Sequence, residues 1–322
     1  MNIQRWIARR EQNWKDLEKL LSQAEKKGLP SLSATEVREM SSLYRSVSAD
    51  LARGRTFAVG NTLLADLQTL TARGYAQIYQ GSRGQEWRQA IAFYRWKLPE
   101  TIRQTWIYTA IATGLFVLGG LFGWWYGWHD PNFIQTVAGS ELISKVRDRH
   151  ELWMGSIVGI EPLASSGIII NNLSVSFAAV AGGMTAGLVT GFMMLSNGVN
   201  VGTLAVLVSQ NNLATPFWAF IFPHGALELP AIFFAGAAGL LLARALLFPG
   251  RYSRKEALRL YGGQAAQLVL AVIPMLIVAG TIEGFFSPNP NIPDSLKFFA
   301  GLVNFILLIA YCRSRKPQLA RT

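Results

Sequence analysis

The feature that most constrains this chain is a long stretch without charge. Residues 105–127 form 23 consecutive positions that contain no Asp, Glu, Lys or Arg. At 1.5 Å per residue, a helix of this length reaches roughly 34 Å, which is enough to cross the hydrocarbon core of a bilayer. Its far end is rich in the aromatic residues of a membrane interface, Trp124, Trp125, Tyr126 and Trp128. The stretch predicts a transmembrane helix.

Apolar segments of the same kind recur towards the end of the chain. Charged residues make up only 15% of the sequence, against roughly 25% in soluble domains. We expect an all-α fold, a polytopic transmembrane helix bundle with about six spans in residues 105–312, near 105–127, 168–195, 198–212, 216–248, 264–286 and 296–312. Residues 198–209 are short for a span and are also compatible with a re-entrant segment.

The distribution of Lys and Arg predicts the orientation in the membrane. Residues 1–104 contain 17 basic and 10 acidic residues, whereas the loop 128–167 contains three and five. Because cytoplasmic flanks are enriched in Lys and Arg, we expect this loop to be external and both termini to be cytoplasmic, including the basic tail 313–322. The basic residues are scattered singly beside apolar segments, which predicts contact with the lipid bilayer of the cell membrane and no nucleic-acid partner.

Residues 1–85 have an ordinary soluble composition and predict a cytoplasmic helical bundle. Apolar residues recur at steps of three and four, with Arg10 as the one polar interruption, at Ile3, Ile7, Trp14, Leu17, Leu21 and Ala24. Gly28 predicts the end of this first helix, and Ser33 with Glu36 has the pattern of a capping box at the start of the next.

Residues 86–104 mix aromatic and basic residues just before the first span. This mixture is typical of a helix at the lipid headgroups, and we expect an interfacial juxtamembrane helix here. The alternative is that these aromatic residues merely cap the soluble bundle.

Small residues recur every four positions in several predicted spans. Such stripes let helices approach closely in lipid, where packing drives their association. They predict helix-packing positions within the chain or, alternatively, a homo-oligomer interface, at Gly119, Gly123, Gly127, Gly183, Gly187, Gly191, Ala235 and Gly239.

Seven polar residues at membrane depth form the candidate site. Polar groups in lipid are costly and usually face a bundle interior or a cavity. The seven are Asn171, Asn172, Asn197, Asn200, His224, Glu228 and Glu283. His224 and Glu228 are one helical turn apart and could share a proton or a metal, but two ligands are too few to predict a metal site. The cluster is either a polar clamp between spans or part of a conducting or catalytic pathway.

No enzymatic signature accompanies these residues. The chain has three histidines, none in an H-E-x-x-H pattern, and it has neither a G-x-S-x-G elbow nor a phosphate-binding P-loop. Cys312 is the only cysteine, which excludes an intrachain disulfide and any cysteine-based metal site. We therefore predict no catalytic residue, no cofactor and no metal.

Several short motifs carry a resemblance to a known family. They are Leu43-Tyr44-Arg45, Ser48 to Ala52, Asn171-Asn172, Pro223-His224-Gly225 with Glu228-Leu229-Pro230, Gly236 to Gly239, and Ile282-Glu283-Gly284 with Pro288. Through most of its length the sequence resembles the stage II sporulation protein M family of membrane proteins. The sporulation member is a membrane scaffold that recruits peptidoglycan-degrading proteins during forespore engulfment.

The resemblance implies a non-enzymatic scaffold or anchor in cell-envelope assembly or remodelling. Longer members are often encoded near RDD-type membrane proteins and MoxR-type ATPases, which are therefore expected partners. The N-terminal domain and the sixth span depart from the sporulation form, so engulfment itself is not carried over. The alternative function is a transporter, channel or lipid-handling protein that uses the intramembrane Asn, His and Glu residues.

Overall fold

The computed structural model describes residues 3–57 and 59–316, apart from the side chains of residues 80–86. Within these residues the chain is helical and contains no strand, as predicted. It divides into two compact units, Met1–Phe93 and Tyr94–Thr322. The end of the predicted basic tail, residues 317–322, lies outside the described part.

The first unit is a helical bundle with a core of its own. Its helices are α1 (Ile3–Lys27), α2 (Ala34–Thr56), α3 (Asn61–Tyr75) and α4 (Gly81–Ala92), with a π-helical turn at Ala76–Gln80. Buried side chains from the first three helices meet, among them Trp14, Leu17, Leu21, Met40, Val47 and Leu67. The helical pattern of apolar residues in the sequence is thus used to build a core.

The ends of these helices follow from local sequence. α1 ends at Gly28, whose φ of 80° is one that residues with a side chain rarely adopt. The predicted capping box is confirmed, because the Ser33 side chain accepts from the Glu36 amide while the Glu36 side chain accepts from the Ser33 amide.

The second unit contains nine helices among its described residues. They are α5 (Leu98–Gln104), α6 (Trp106–His129), α7 (Pro131–Ala138), α8 (Ser140–Arg147), α9 (Glu161–Ala181), α10 (Leu188–Gln210), α11 (Ala214–Leu247), α12 (Arg254–Thr281) and α13 (Asp294–Arg313). A π-helical turn, Ile282–Phe286, extends α12. Six of these segments, based on α6 and α9 to α13, are long and apolar enough to cross a membrane. The chain is a multi-pass membrane protein, and the prediction of six spans is confirmed.

The boundary between the second and third spans differs from the prediction. The second runs over Glu161–Thr185 and the third over Leu188–Gln210, where the sequence suggested 168–195 and 198–212. The turn between them contains only small or apolar residues and Thr185, so neither charge nor proline marks it. Ala186 and Gly187 turn the chain with φ of 56° and 83°. The third span is therefore a full-length helix, and a re-entrant segment at 198–209 is wrong.

Helix α11 lies at the centre of the second unit and packs against α6, α9, α10, α12 and α13. It contains Pro223 and Pro230, and α12 contains Pro274. A proline leaves the carbonyl four residues earlier without its helical donor. The Tyr94 hydroxyl donates to the freed Leu270 carbonyl at 3.1 Å, which replaces the helical donor that Pro274 lacks.

Candidate intramembrane polar site

Three of the seven predicted polar residues meet between α11 and the end of α12. Each of His224, Glu228 and Glu283 offers one atom, and these three atoms lie within 4.8 Å of one another. His224 Nε2 is 3.8 Å from a carboxylate oxygen of Glu283. His224 and Glu228 share a face of α11 because they are four residues apart. The structure therefore joins the histidine–glutamate pair to a third residue that is distant in sequence.

The π-helical turn Ile282–Phe286 positions Glu283. Such turns insert an extra residue into a helix and rotate the side chains that follow. Gly284, inside the turn, is buried against Ser165, where an added Cβ would lie 2.5 Å from the serine Cβ. Ser165 also donates to the Gly280 carbonyl at 2.9 Å. These contacts hold the turn against α9 and fix the place of Glu283.

His224 is held from several sides. It is 4% exposed, its ring packs edge-on to Phe220, and its Nδ1 lies 3.1 Å from the Ser287 hydroxyl. The Asn304 side chain of α13 donates to the neighbouring Pro223 carbonyl at 3.0 Å. Sequence analysis missed Ser287 and Asn304, because Ser287 lies in a segment that resembled an external turn and Asn304 is a single polar residue in an apolar helix.

Glu228 is the least satisfied member of the site. Its Oε2 atom is buried and has no hydrogen-bond partner. The side chain of Asn172, from α9, is placed to donate a hydrogen bond to its carboxylate. The Asn171 side chain donates to the side-chain oxygen Oδ1 of Asn172 at 3.3 Å, and Asn171 is itself exposed. One asparagine of the pair thus faces the cluster while the other lies at its edge.

The remaining two asparagines form hydrogen bonds within their own helix. Asn197 donates to the Met193 carbonyl at 2.8 Å, and Asn200 donates to the Ser196 carbonyl at 2.9 Å. These bonds are within α10, and they do not connect either residue to His224. Sequence alone could not separate them from Asn172, because all lie at similar depth in apolar segments.

A cavity of about 640 Å³ approaches the cluster from one end of the second unit. Phe220 and Ser287 line it, and both contact His224. Its wall also carries four charged residues, Lys145, Glu151, Asp294 and Lys297. The cavity therefore lies between the loop that joins α8 to α9 and two residues that contact the histidine.

The predicted small-residue positions lie at helix crossings inside the chain. An added Cβ at Gly119, Gly123 or Gly127 would meet α10, and one at Gly183 would meet the Gly239 backbone. An added Cβ at Gly187 would lie 3.0 Å from the Ala243 Cβ, and one at Gly239 would meet Ala179 and Thr190. Ala235 is fully buried. An added Cβ at Gly191 would make only an ordinary contact with Leu115. Gly198 and Gly202 of α10, not predicted from the sequence, face Phe116 and Gly120 in return.

Comparison with known proteins agrees with this arrangement. The family model of Stage II sporulation protein M matches residues 112–288, and a domain of unknown function (DUF8413) matches residues 4–80. Uncharacterized protein MJ0793 of Methanocaldococcus jannaschii is similar to this chain, with 31% identity over 124 residues, which is 38% of this chain and 70% of the relative. No solved structure matches the chain. Since the match to the first model covers more than half of the chain and includes His224, Glu228 and Glu283, this protein belongs to the stage II sporulation protein M family.

Proposed function

We propose that the protein is a non-enzymatic membrane scaffold whose helical bundle, α1 to α3, holds a cytoplasmic partner during cell-envelope assembly or remodelling. The observation that carries this proposal is a groove of about 620 Å³ between α1 and α3. Its apolar floor is formed by Ile7, Trp14, Leu63, Leu67 and Leu70. A groove with an apolar floor and a polar rim suits an amphipathic helix of another protein.

The rim of the groove carries both signs of charge, at Glu11, Lys15, Glu18, Asp66 and Arg73. Mixed charge around an apolar floor favours one orientation of a bound helix over others. The MoxR-type ATPases and RDD-type membrane proteins expected from the family are the first partners to test.

Two neighbouring residues of α3 provide a matched test of the groove. Thr69 lines it, whereas Gln68 does not, and both side chains are exposed. Thr69→Trp places an indole in the groove and should reduce partner recovery in co-purification of the full chain at least about tenfold, since a filled pocket loses its contacts. Gln68→Trp should leave recovery unchanged. An unchanged partner set after deletion of residues 1–80 would refute recruitment by this bundle.

The scaffold proposal includes an orientation with both termini in the cytoplasm. Basic residues follow the fourth span, at Arg251, Arg254, Lys255 and Arg259, as expected of a cytoplasmic loop. Reporter fusions after Gln210 and Ser253 test this: the first is expected outside and the second inside. The reverse result would mean that both termini lie on the external side of the membrane.

A pathway through the membrane is a second candidate, favoured by the cavity that reaches Phe220 and Ser287 beside His224. Purified protein in liposomes would be compared with His224→Ala and Glu228→Gln for ion and lipid movement. A flux that both variants abolish supports the pathway, and equal background flux in all three removes it.

A further inference from the structure

The cluster of His224, Glu228 and Glu283 has the dimensions of a metal site. Three atoms within 4.8 Å of one another all lie within about 2.8 Å of a common point, while zinc binds histidine nitrogen and carboxylate oxygen at roughly 2.0–2.2 Å. Side-chain shifts of under about 1 Å would therefore bring all three atoms to bonding distance.

The histidine is oriented as a metal ligand. Its Nδ1 lies 3.1 Å from Ser287 Oγ, and its Nε2 faces the Glu283 carboxylate. Metal-binding histidines usually use one ring nitrogen for the ion and donate a hydrogen bond from the other. When Nδ1–H donates to Ser287, the lone pair of Nε2 is directed into the cluster.

Charge within the cluster is not balanced by a side chain. In the part of the chain that the structure describes, the only ion-pair contact of either glutamate is that of Glu283 with His224, and Glu228 Oε2 is buried without a partner. Two carboxylates removed from water are costly unless they are neutralised. One divalent cation would neutralise both and would occupy the unsatisfied oxygen.

We propose that His224, Glu228 and Glu283 bind one divalent transition-metal ion, of the zinc, manganese and iron class. One imidazole with two carboxylates suits these metals better than calcium or magnesium, which prefer oxygen alone. The ion would join α11 to the end of α12. Three protein ligands leave a coordination position open, and the cavity lined by Ser287 lies next to the histidine. This inference does not depend on partner recruitment.

The test uses the full chain in detergent, with any affinity tag removed, stripped by a chelator and then dialysed against zinc or manganese. We expect one ion per chain by elemental analysis, with one of the two metals, and a visible d–d spectrum after cobalt substitution. His224→Ala and Glu283→Gln should each weaken binding at least tenfold and abolish the cobalt spectrum. Ser287→Ala, which removes the hydroxyl beside Nδ1, should weaken it by about tenfold.

Histidines elsewhere provide the control. His129 and His150 are exposed, and His129→Ala or His150→Ala should retain one ion. If His224→Ala does not fold, Glu283→Gln decides, because it keeps the side-chain volume. Less than a tenth of an ion per wild-type chain, or one ion still bound to a folded His224→Ala or Glu283→Gln protein, would overturn the proposal. Because the metal-binding test uses the purified protein without a partner, its failure would not bear on the proposal that the bundle recruits a partner.

Discussion

Each of the two units buries a carboxylate, but the two carboxylates differ in their bonding partners. Asp50 in α2 is fully buried, yet Arg10 binds it through Nε at 2.8 Å and Trp14 Nε1 donates to it at 3.0 Å. Glu228 in the membrane unit keeps a buried oxygen without any partner. A carboxylate with a cationic partner is a structural element, whereas one without a cationic partner at membrane depth is a candidate for function. The comparison indicates that Glu228, and not Asp50, is the candidate functional residue.

The largest expected effect follows from breaking the paired site. Asp50→Ala removes the acceptor of Arg10 Nε and of the Trp14 N–H, and loss of one member of a buried pair costs about 3–5 kcal/mol. Hydrogen exchange of α1 and α2 in the full chain should show a loss of protection of that size. Asp66→Ala, at an exposed position of α3, serves as the control and should change protection by less than about 0.5 kcal/mol. Similar protection in the two variants would refute a stabilising role for the Asp50 pair.

The second prediction concerns packing, which also differs between the units. The bundle packs large side chains, whereas α6 and α10 meet through glycines, and a Cβ at Gly119 would overlap the Leu195 carbonyl. Gly119→Ile should therefore destabilise the membrane unit by about 1–3 kcal/mol, seen as earlier thermal unfolding in detergent. Gly114 on the same helix is exposed, and an added Cβ there meets no atom within 4 Å, so Gly114→Ile should unfold like wild type. Equal unfolding of both variants would mean that α6 and α10 do not need this close approach.

Sequence predicted those features that rest on local patterns. The Ser33–Glu36 capping box and six spans follow from short motifs and from apolar length, and the structure has both. The turn at Ala186 and Gly187 was missed because small apolar residues form it without charge or proline. Helix periodicity places His224 near Glu228, but only the packing of α12 on α11 adds Glu283.

Two further pairs of residues show why the other features could not be predicted from the sequence. Arg10 interrupts the apolar pattern of α1, and its partner Asp50 is forty positions away on another helix. Nothing local to either residue specifies this pair. Likewise, Asn172 faces Glu228 while Asn197 bonds to its own helix, a difference set by helix rotation within the bundle.

The third prediction tests the unpaired site directly. Glu228→Gln keeps the shape of the side chain and removes a charge that has no cationic partner, so metal-free protein should change in stability by less than about 1 kcal/mol, or become more stable. Thermal unfolding in the presence of a chelator measures this, with Asp50→Asn as the paired counterpart that should lose more. A loss above about 3 kcal/mol for Glu228→Gln would show that this carboxylate is structural after all, and the contrast between the units would disappear.

The smallest effect is expected at a surface ion pair of the bundle, because water hydrates and screens the two charges. Arg73 of α3 donates to both oxygens of Glu25 in α1, at 2.9 and 3.0 Å, and this hydrogen bonding lowers the pKa of Glu25 below its usual value near 4.5. A carboxyl with a lowered pKa in the folded state stabilises above its usual pKa, and the contribution is lost as pH falls through the folded-state value. Because the pair is exposed, Glu25→Gln should cost only about 0.5 kcal/mol at pH 7, and less near pH 3.5 or in about 1 M salt. Urea unfolding of the bundle in the full chain measures this, with the exposed Glu39→Gln as control. A cost that persists in acid and in high salt would mean that Glu25 acts through packing and not through its charge.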